Sequence, residues 1–238
     1  MLADFHIIAQ AGRLALEVQL PGTARYALLD FIADELPRRR DHPNRRSETS
    51  ETVLTDQLCD HLNSAARTAP GWNWFQFRTE VPDEAKRGRA IDLALKPCGA
   101  VLAIEGRRHT QFDTLLPIEC KRLPTPKEKG RDEREYVVTR TGSTGGVQRF
   151  KFGHHGSAHR VAGMIGYVQE QTPAYWLSQV NSWIHDLAKE TGAGWSSSDL
   201  LRLQEDNGDA GVCRLVSQHQ RSGGLGEIEL RHLWVKMN

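Results

Sequence analysis

The chain has 238 residues, 39% of them hydrophobic, with 31 basic and 30 acidic side chains for a formal net charge of +1. This length buries a full core as one domain or one domain plus an extension. Near-neutral charge excludes binding of nucleic acid by the whole surface and leaves that task to local basic clusters.

No apolar run reaches transmembrane length, and Met1–His6 lacks the basic start and apolar core of a signal peptide. Cys59, Cys98, Cys120 and Cys213 stand too far apart for close-paired zinc or redox motifs. A soluble, reduced, cytoplasmic protein with no membrane partner is expected.

Residues 1–46 read as an N-terminal cap and basic loop. The segment Ile7 to Leu20 fits either a helix or a pair of short strands. Ala24–Leu36 carries Leu28, Leu29, Ile32 and Leu36 at helical spacing, and Pro37 predicts its end. Pro37–Arg46 holds two prolines and five arginines without periodicity, which predicts a loop. Its Arg38, Arg39 and Arg40 suit phosphate oxygens, and suit a solvated linker equally.

Residues 47–238 read as the main domain. Ser47–Glu51 has the hydroxyls and acids of a helix start, followed by an apolar stripe at Leu54, Leu58, Leu62 and Ala65. Glu51 lies within the angular span of that stripe, so a carboxylate is aimed at the core side, where it also complements the helix dipole. Strands are predicted over Trp72–Val81, Ala90–Leu95, Val101–Glu105 and Leu115–Arg122, with a turn at Lys96–Gly99. Alternation puts Ile91, Leu93 and Leu95 on one face and Asp92 on the other. It likewise separates Ile118 and Cys120 from Glu119 and Lys121. Two apolar strands thus each present a carboxylate, which is costly to bury unless the charge is paired or binds a metal. The same charges also suit a salt-bridged pair on an exposed edge strand.

At these residues the sequence resembles the PD-(D/E)XK nuclease superfamily, whose signature is an Asp followed after a variable gap by Glu-x-Lys. Asp92 matches the first acid and Glu119-Cys120-Lys121 the rest, 27 positions later. The resemblance covers roughly Glu51 to Val168, and the long gap requires an extra hairpin or loop. It implies a restriction-endonuclease-like α/β core, a mixed sheet flanked by helices, here with an N-terminal helical cap and a C-terminal hairpin. It also implies Mg²⁺ (or Mn²⁺) held by Asp92, Glu119 and the carbonyl of Cys120, with Glu51 joining from the first core helix. Lys121 would act on a metal-bound water, and the substrate would be DNA, in restriction or anti-phage defence, with a protein partner or homodimer open. A non-catalytic nucleic-acid-binding or partner-docking module on the same fold is the alternative.

Farther on, Pro124–Arg131 is a charged loop, and Gly145 and Gly146 precede a short helix. Family helices at this place commonly supply a Gln or Lys, so Gln148 is an auxiliary site candidate, with Arg149 and Lys151 as phosphate contacts. The glycines at 153 and 156 argue against a zinc site at His154, His155 and His159. Val161–Val168 predicts a buried strand. Thr172 and Pro173 open an amphipathic helix ending near Gly192. Gly194–Gly211 predicts irregular chain or a short helix. Arg214–Arg221 and Glu227–Lys236 predict a hairpin on which Ser217, His219 and Arg221 share a polar face, either for phosphate or merely wet.

Overall fold

The structure is a computed structural model that describes residues 17–84, 88–128, 130–140 and 142–238. Of the Ile7–Leu20 segment only β1 (Glu17–Leu20) falls among them, so the choice between helix and strands upstream of it lies outside the described residues.

Helix α1 (Ala24–Arg40) buries Leu28, Leu29, Ile32 and Leu36 and runs straight through Pro37, which corrects the expected stop. Pro37 removes one amide donor, but the turn beyond it is anchored from outside. Buried Arg39 donates from Nη2 to the Leu54 carbonyl (3.0 Å) and the Gln57 amide oxygen (2.9 Å), and the Asp41 N–H closes on Pro37 O at 2.9 Å. Arg38, Arg39 and Arg40 therefore sit on a helix and not in a loop.

Helix α2 (Glu51–Thr68) follows, and its buried stripe of Leu54, Leu58, Leu62 and Ala66 shares one core with α1. The segment expected to be a cap is thus packed on the same hydrophobic cluster as the main body.

The main sheet has seven strands: β2 (Phe75–Pro82), β3 (Ala90–Pro97), β6 (Leu116–Leu123), β7 (Val161–Val168), β8 (Arg202–Asn207), β9 (Val212–His219) and β10 (Ile228–Lys236). Their order is β2-β3-β6-β7-β10-β9-β8, with β6, β7 and β10 parallel to one another and every other pairing antiparallel. This is a mixed sheet, and the 27-residue gap is filled by the hairpin of β4 (Val101–Ile104) and β5 (Arg107–His109). β4 does not join the main sheet; it pairs with β1 and β5 in a separate three-stranded sheet.

Helices cover both faces. Ile118, Cys120, Ile165 and Tyr167 face α1 and α2. Met164, Val168, Leu230 and Trp234 face the other layer, which contains α3 (Gly146–Lys151) and α4 (Pro173–Lys189). Central β7 is glycine-bearing because a Cβ at Gly166 would lie 2.4 Å from the Trp234 ring. Within Gly194–Gly211, expected to be irregular or a short helix, a 3-10 turn at Ser197–Asp199 is followed by strand β8. It is a fully exposed edge strand, Arg-Leu-Gln-Glu-Asp-Asn, and a solvated edge does not need apolar alternation. The C-terminal hairpin is present as β9 and β10, but β10 also pairs with β7 and so becomes an interior strand.

Candidate active site

The site forms where β3 and β6 run side by side. Leu93 pairs with Ile118, so Asp92 and Glu119 leave the sheet on the face opposite the α1/α2 core. The two strands are tied at this point, because Asp92 Oδ2 accepts the Cys120 backbone N–H at 2.8 Å. Lys121 lies on the same face as Glu119, as the alternation predicts. Its Nζ donates to Glu51 Oε1 (2.8 Å) and the Cys120 carbonyl (2.9 Å), with Asp92 Oδ2 at 3.4 Å.

Glu51, the first residue of α2, is brought in from a third element. Its second carboxylate oxygen accepts the Arg122 N–H at 3.1 Å, and Arg122 Nη1 donates to Thr49 O at 2.8 Å. These bonds pin the start of α2 against β6. Glu51 thus serves Lys121 and the β6 backbone. Among the described residues, no group of three or more His, Cys, Asp or Glu side chains is arranged to hold a metal ion.

Glu119 is completely buried and is gripped from the α3 side. Arg149 Nη1 lies 2.5 Å from Glu119 Oε2 and 3.8 Å from Asp92 Oδ1, and His155 Nδ1 lies 2.5 Å from Glu119 Oε1. Both ligands converge because α3 ends by folding back: the Arg149 carbonyl accepts the N–H groups of His154 (2.7 Å) and His155 (3.0 Å). A side chain at Gly146 would collide, since its Cβ would come 2.6 Å from Met164 Cε and 3.3 Å from Lys121 Cγ. The glycine lets α3 approach the site.

Burial raises the Glu119 pKa, with the Asp92 charge adding to it against the pull of His155 and Arg149. Burial works the other way on Lys121, but Asp92, Glu51 and Glu119 outweigh it and hold the ammonium well above its ordinary range. Lys121 is therefore a fixed cation, suited to orienting a water or a developing anion and unsuited to taking a proton.

Other sequence candidates fall elsewhere. Gln148 caps α3, its amide oxygen accepting from the Gly145 N–H (3.2 Å) and the Thr139 N–H (3.3 Å); the residue of α3 that reaches the acids is Arg149. Lys151 is buried, with Nζ 2.8 Å from Asp199 Oδ1, so it is no phosphate contact. The polar face of Ser217, His219 and Arg221 is neither wet nor open. Ser217 and His219 are sealed in the interior, and Arg221 donates to the carbonyls of Gly156, His159, Leu225 and Gly226, holding the loop that follows His155. Arg39 is 2% exposed and committed to α2, and Arg40 is committed to Asp41, Ala210 O and Lys236 O. Of the three arginines only Arg38 is open, and it pairs with Glu35. The residue that sequence reasoning missed is His155; its place in a histidine run carried no sign that one ring would fold onto Glu119.

The donor set suits an oxygen-seeking divalent cation in its chemistry: Asp92, Glu119 and the Cys120 carbonyl are hard oxygens. Arg149 Nη1 already stands against Glu119 and within 3.8 Å of Asp92. None of the described helices is long and apolar enough to cross a membrane. No protein-family profile, curated protein or solved structure matches the chain.

Proposed function

We propose that the chain is a metal-dependent nuclease of the restriction-endonuclease-like type that hydrolyses phosphodiester bonds in DNA, in the setting of restriction or anti-phage defence. The observation that carries this reading is the convergence of Asp92, Glu119 and Lys121 from two adjacent strands, with a carboxylate buried completely yet beside a partly open edge. A bound Mg²⁺ or Mn²⁺ would supply an activated water and stabilise charge on the phosphate. Asp92 and Glu119, with the Cys120 carbonyl, are the residues to hold it. Lys121, kept as an ammonium by three carboxylates, orients the attacking water and faces the charge that develops on the phosphate. His155 holds Glu119 in one orientation from behind.

The other reading is a binding module. The ion pair of Arg149 and the hydrogen bond of His155 with Glu119 favour it, because they satisfy that acid without any metal. Incubation of the purified protein with plasmid DNA and Mg²⁺ or Mn²⁺, beside an EDTA control and Asp92→Asn, separates the two. Metal-dependent nicking lost in the variant supports the nuclease; DNA binding without cleavage under every condition supports the module.

A further inference from the structure

We infer that Arg149 is a built-in counter-cation that closes the Asp92–Glu119 pair and leaves it when a divalent metal enters, its guanidinium then being free to take a substrate phosphate. This inference rests on the nuclease reading and adds a gate to it.

Three observations carry it. The first is position: Arg149 Nη1 is within 2.5 Å of Glu119 and 3.8 Å of Asp92, the same two carboxylates that a metal would need. The second is charge. Glu51, Asp92 and Glu119 against Lys121 and Arg149 leave a net formal charge of −1, counting His155 as neutral. Adding a divalent ion beside Arg149 makes the cluster +1, whereas exchanging Arg149 for the ion makes it neutral. Two cations on the same carboxylates repel at close range, so exchange is the favoured outcome.

The third is freedom to move. Lys121 is held by three acceptors and its side chain is 6% exposed, and the His155 side chain is 2% exposed. Arg149 is 19% exposed, and among the described residues its guanidinium is partnered only by the acids. It is the one cation of the cluster with a way out. Planar guanidinium also matches a phosphate as well as it matches a carboxylate, so substrate offers it a new partner at the moment the metal displaces it.

The test uses the full chain without nucleic acid. Mn²⁺ binding is titrated by electron paramagnetic resonance for the wild type, Arg149→Met, Asp92→Asn and the double variant. The expected result is binding about tenfold or more tighter in Arg149→Met than in the wild type, with the gain removed by Asp92→Asn. A second measurement needs only the wild type, in case Arg149→Met does not fold. With ¹⁵N-arginine labelling, the Arg149 guanidinium signal, identified by its loss in Arg149→Lys, should lose its protection from exchange as Mg²⁺ is added. Equal Mn²⁺ affinity in the wild type and Arg149→Met, or a protected Arg149 signal at saturating Mg²⁺, overturns the gate and leaves the nuclease reading standing. A wild type that neither binds Mn²⁺ nor nicks plasmid defeats the nuclease reading, and the gate falls with it.

Discussion

Two polar clusters meet at α3, and its residues Arg149 and Lys151 reach in different directions to serve them. Arg149 enters the cluster of Glu51, Asp92, Glu119, Lys121 and His155. Lys151 enters a chain of buried groups: Lys151 Nζ to Asp199 Oδ1 (2.8 Å), Asp199 to His219 Nδ1 (2.7 Å), His219 Nε2 to Ser217 Oγ (2.7 Å), and Ser217 to His232 Nε2 (2.8 Å). It continues from His232 Nδ1 to Tyr136 OH (2.8 Å), which accepts the Trp234 indole N–H (2.7 Å).

The order Asp199, His219, Ser217 is that of a nucleophile relay, yet all three are 0% exposed and the serine hydroxyl is shared between two imidazoles. Nothing can reach it. Burial opposes ionisation of Asp199, but His219 and Lys151 outweigh it and hold its pKa down, so the one carboxylate is matched inside the fold. The other cluster gathers three carboxylates and keeps one edge open, with Asp92 and Arg149 partly exposed. A polar cluster that closes on itself specifies packing; one that keeps an excess of like charge beside solvent is a candidate place for a ligand.

The strongest way to break this comparison is Asp199→Ala. Removing it leaves Lys151 and His219 buried without their partner, at a cost of about 3–5 kcal/mol in stability. Chemical denaturation measures this, and cleavage per folded molecule should stay unchanged; a loss of turnover in folded protein would place the sealed chain in the reaction. The converse variant is Asp92→Asn, which keeps an oxygen for the Cys120 N–H. Its cleavage should fall about 10²–10³-fold with little change in melting temperature, and a fall that merely tracks unfolding would make both clusters structural.

The next effect is on pH. Burial pushes His159 down to about 4 and lowers His219 and His232 as well. The unfolded chain therefore binds protons below about pH 6.5 that the folded chain refuses, so stability is present above that pH and is lost as pH falls toward 4. For His159 alone the loss reaches about 1 kcal/mol by pH 5.5. Melting curves at pH 7.5 and 5.5 should show the drop, and His159→Asn should reduce it.

The smallest effect belongs to Arg38, whose side chain is 68% exposed. Arg38→Ala should change stability by less than about 0.5 kcal/mol and lower the salt slope of DNA binding by about 1. An unchanged slope would show that the end of α1 faces away from DNA. Arg39→Ala, by contrast, should destabilise the fold, because it empties a buried place between α1 and α2.

The sequence by itself determined the elements whose patterns are local. Alternation set Asp92 opposite the apolar residues of Ala90–Leu95, and Glu119 and Lys121 opposite those of Leu115–Arg122, and the Thr172-Pro173 start and apolar stripe marked α4. Val161–Val168 is a strand over the range its composition predicts. The angular position of Glu51 pointed it inward, and it meets Lys121 there.

Only the tertiary structure decided the rest. Pro37 is a local stop signal that distant hydrogen bonds from Arg39 overrule. β4 carries a strand pattern, but patterns do not name partners, and it pairs with β1 instead of extending the main sheet. Strand β8 has no apolar alternation because it is an edge that only β9 supports. Ser217, His219, Arg221 and Lys151 look from their neighbours like a surface for phosphate, yet each is buried, because groups from 65 or fewer positions away, Asp199, His232 and the carbonyls of Gly156 and His159, supply their partners. His155 is likewise buried against a distant partner, Glu119, and Arg149 reaches the same acid while staying partly exposed. Hydrogen bonds across the fold, which periodicity cannot encode, set whether a polar side chain faces water, a neighbour or a ligand.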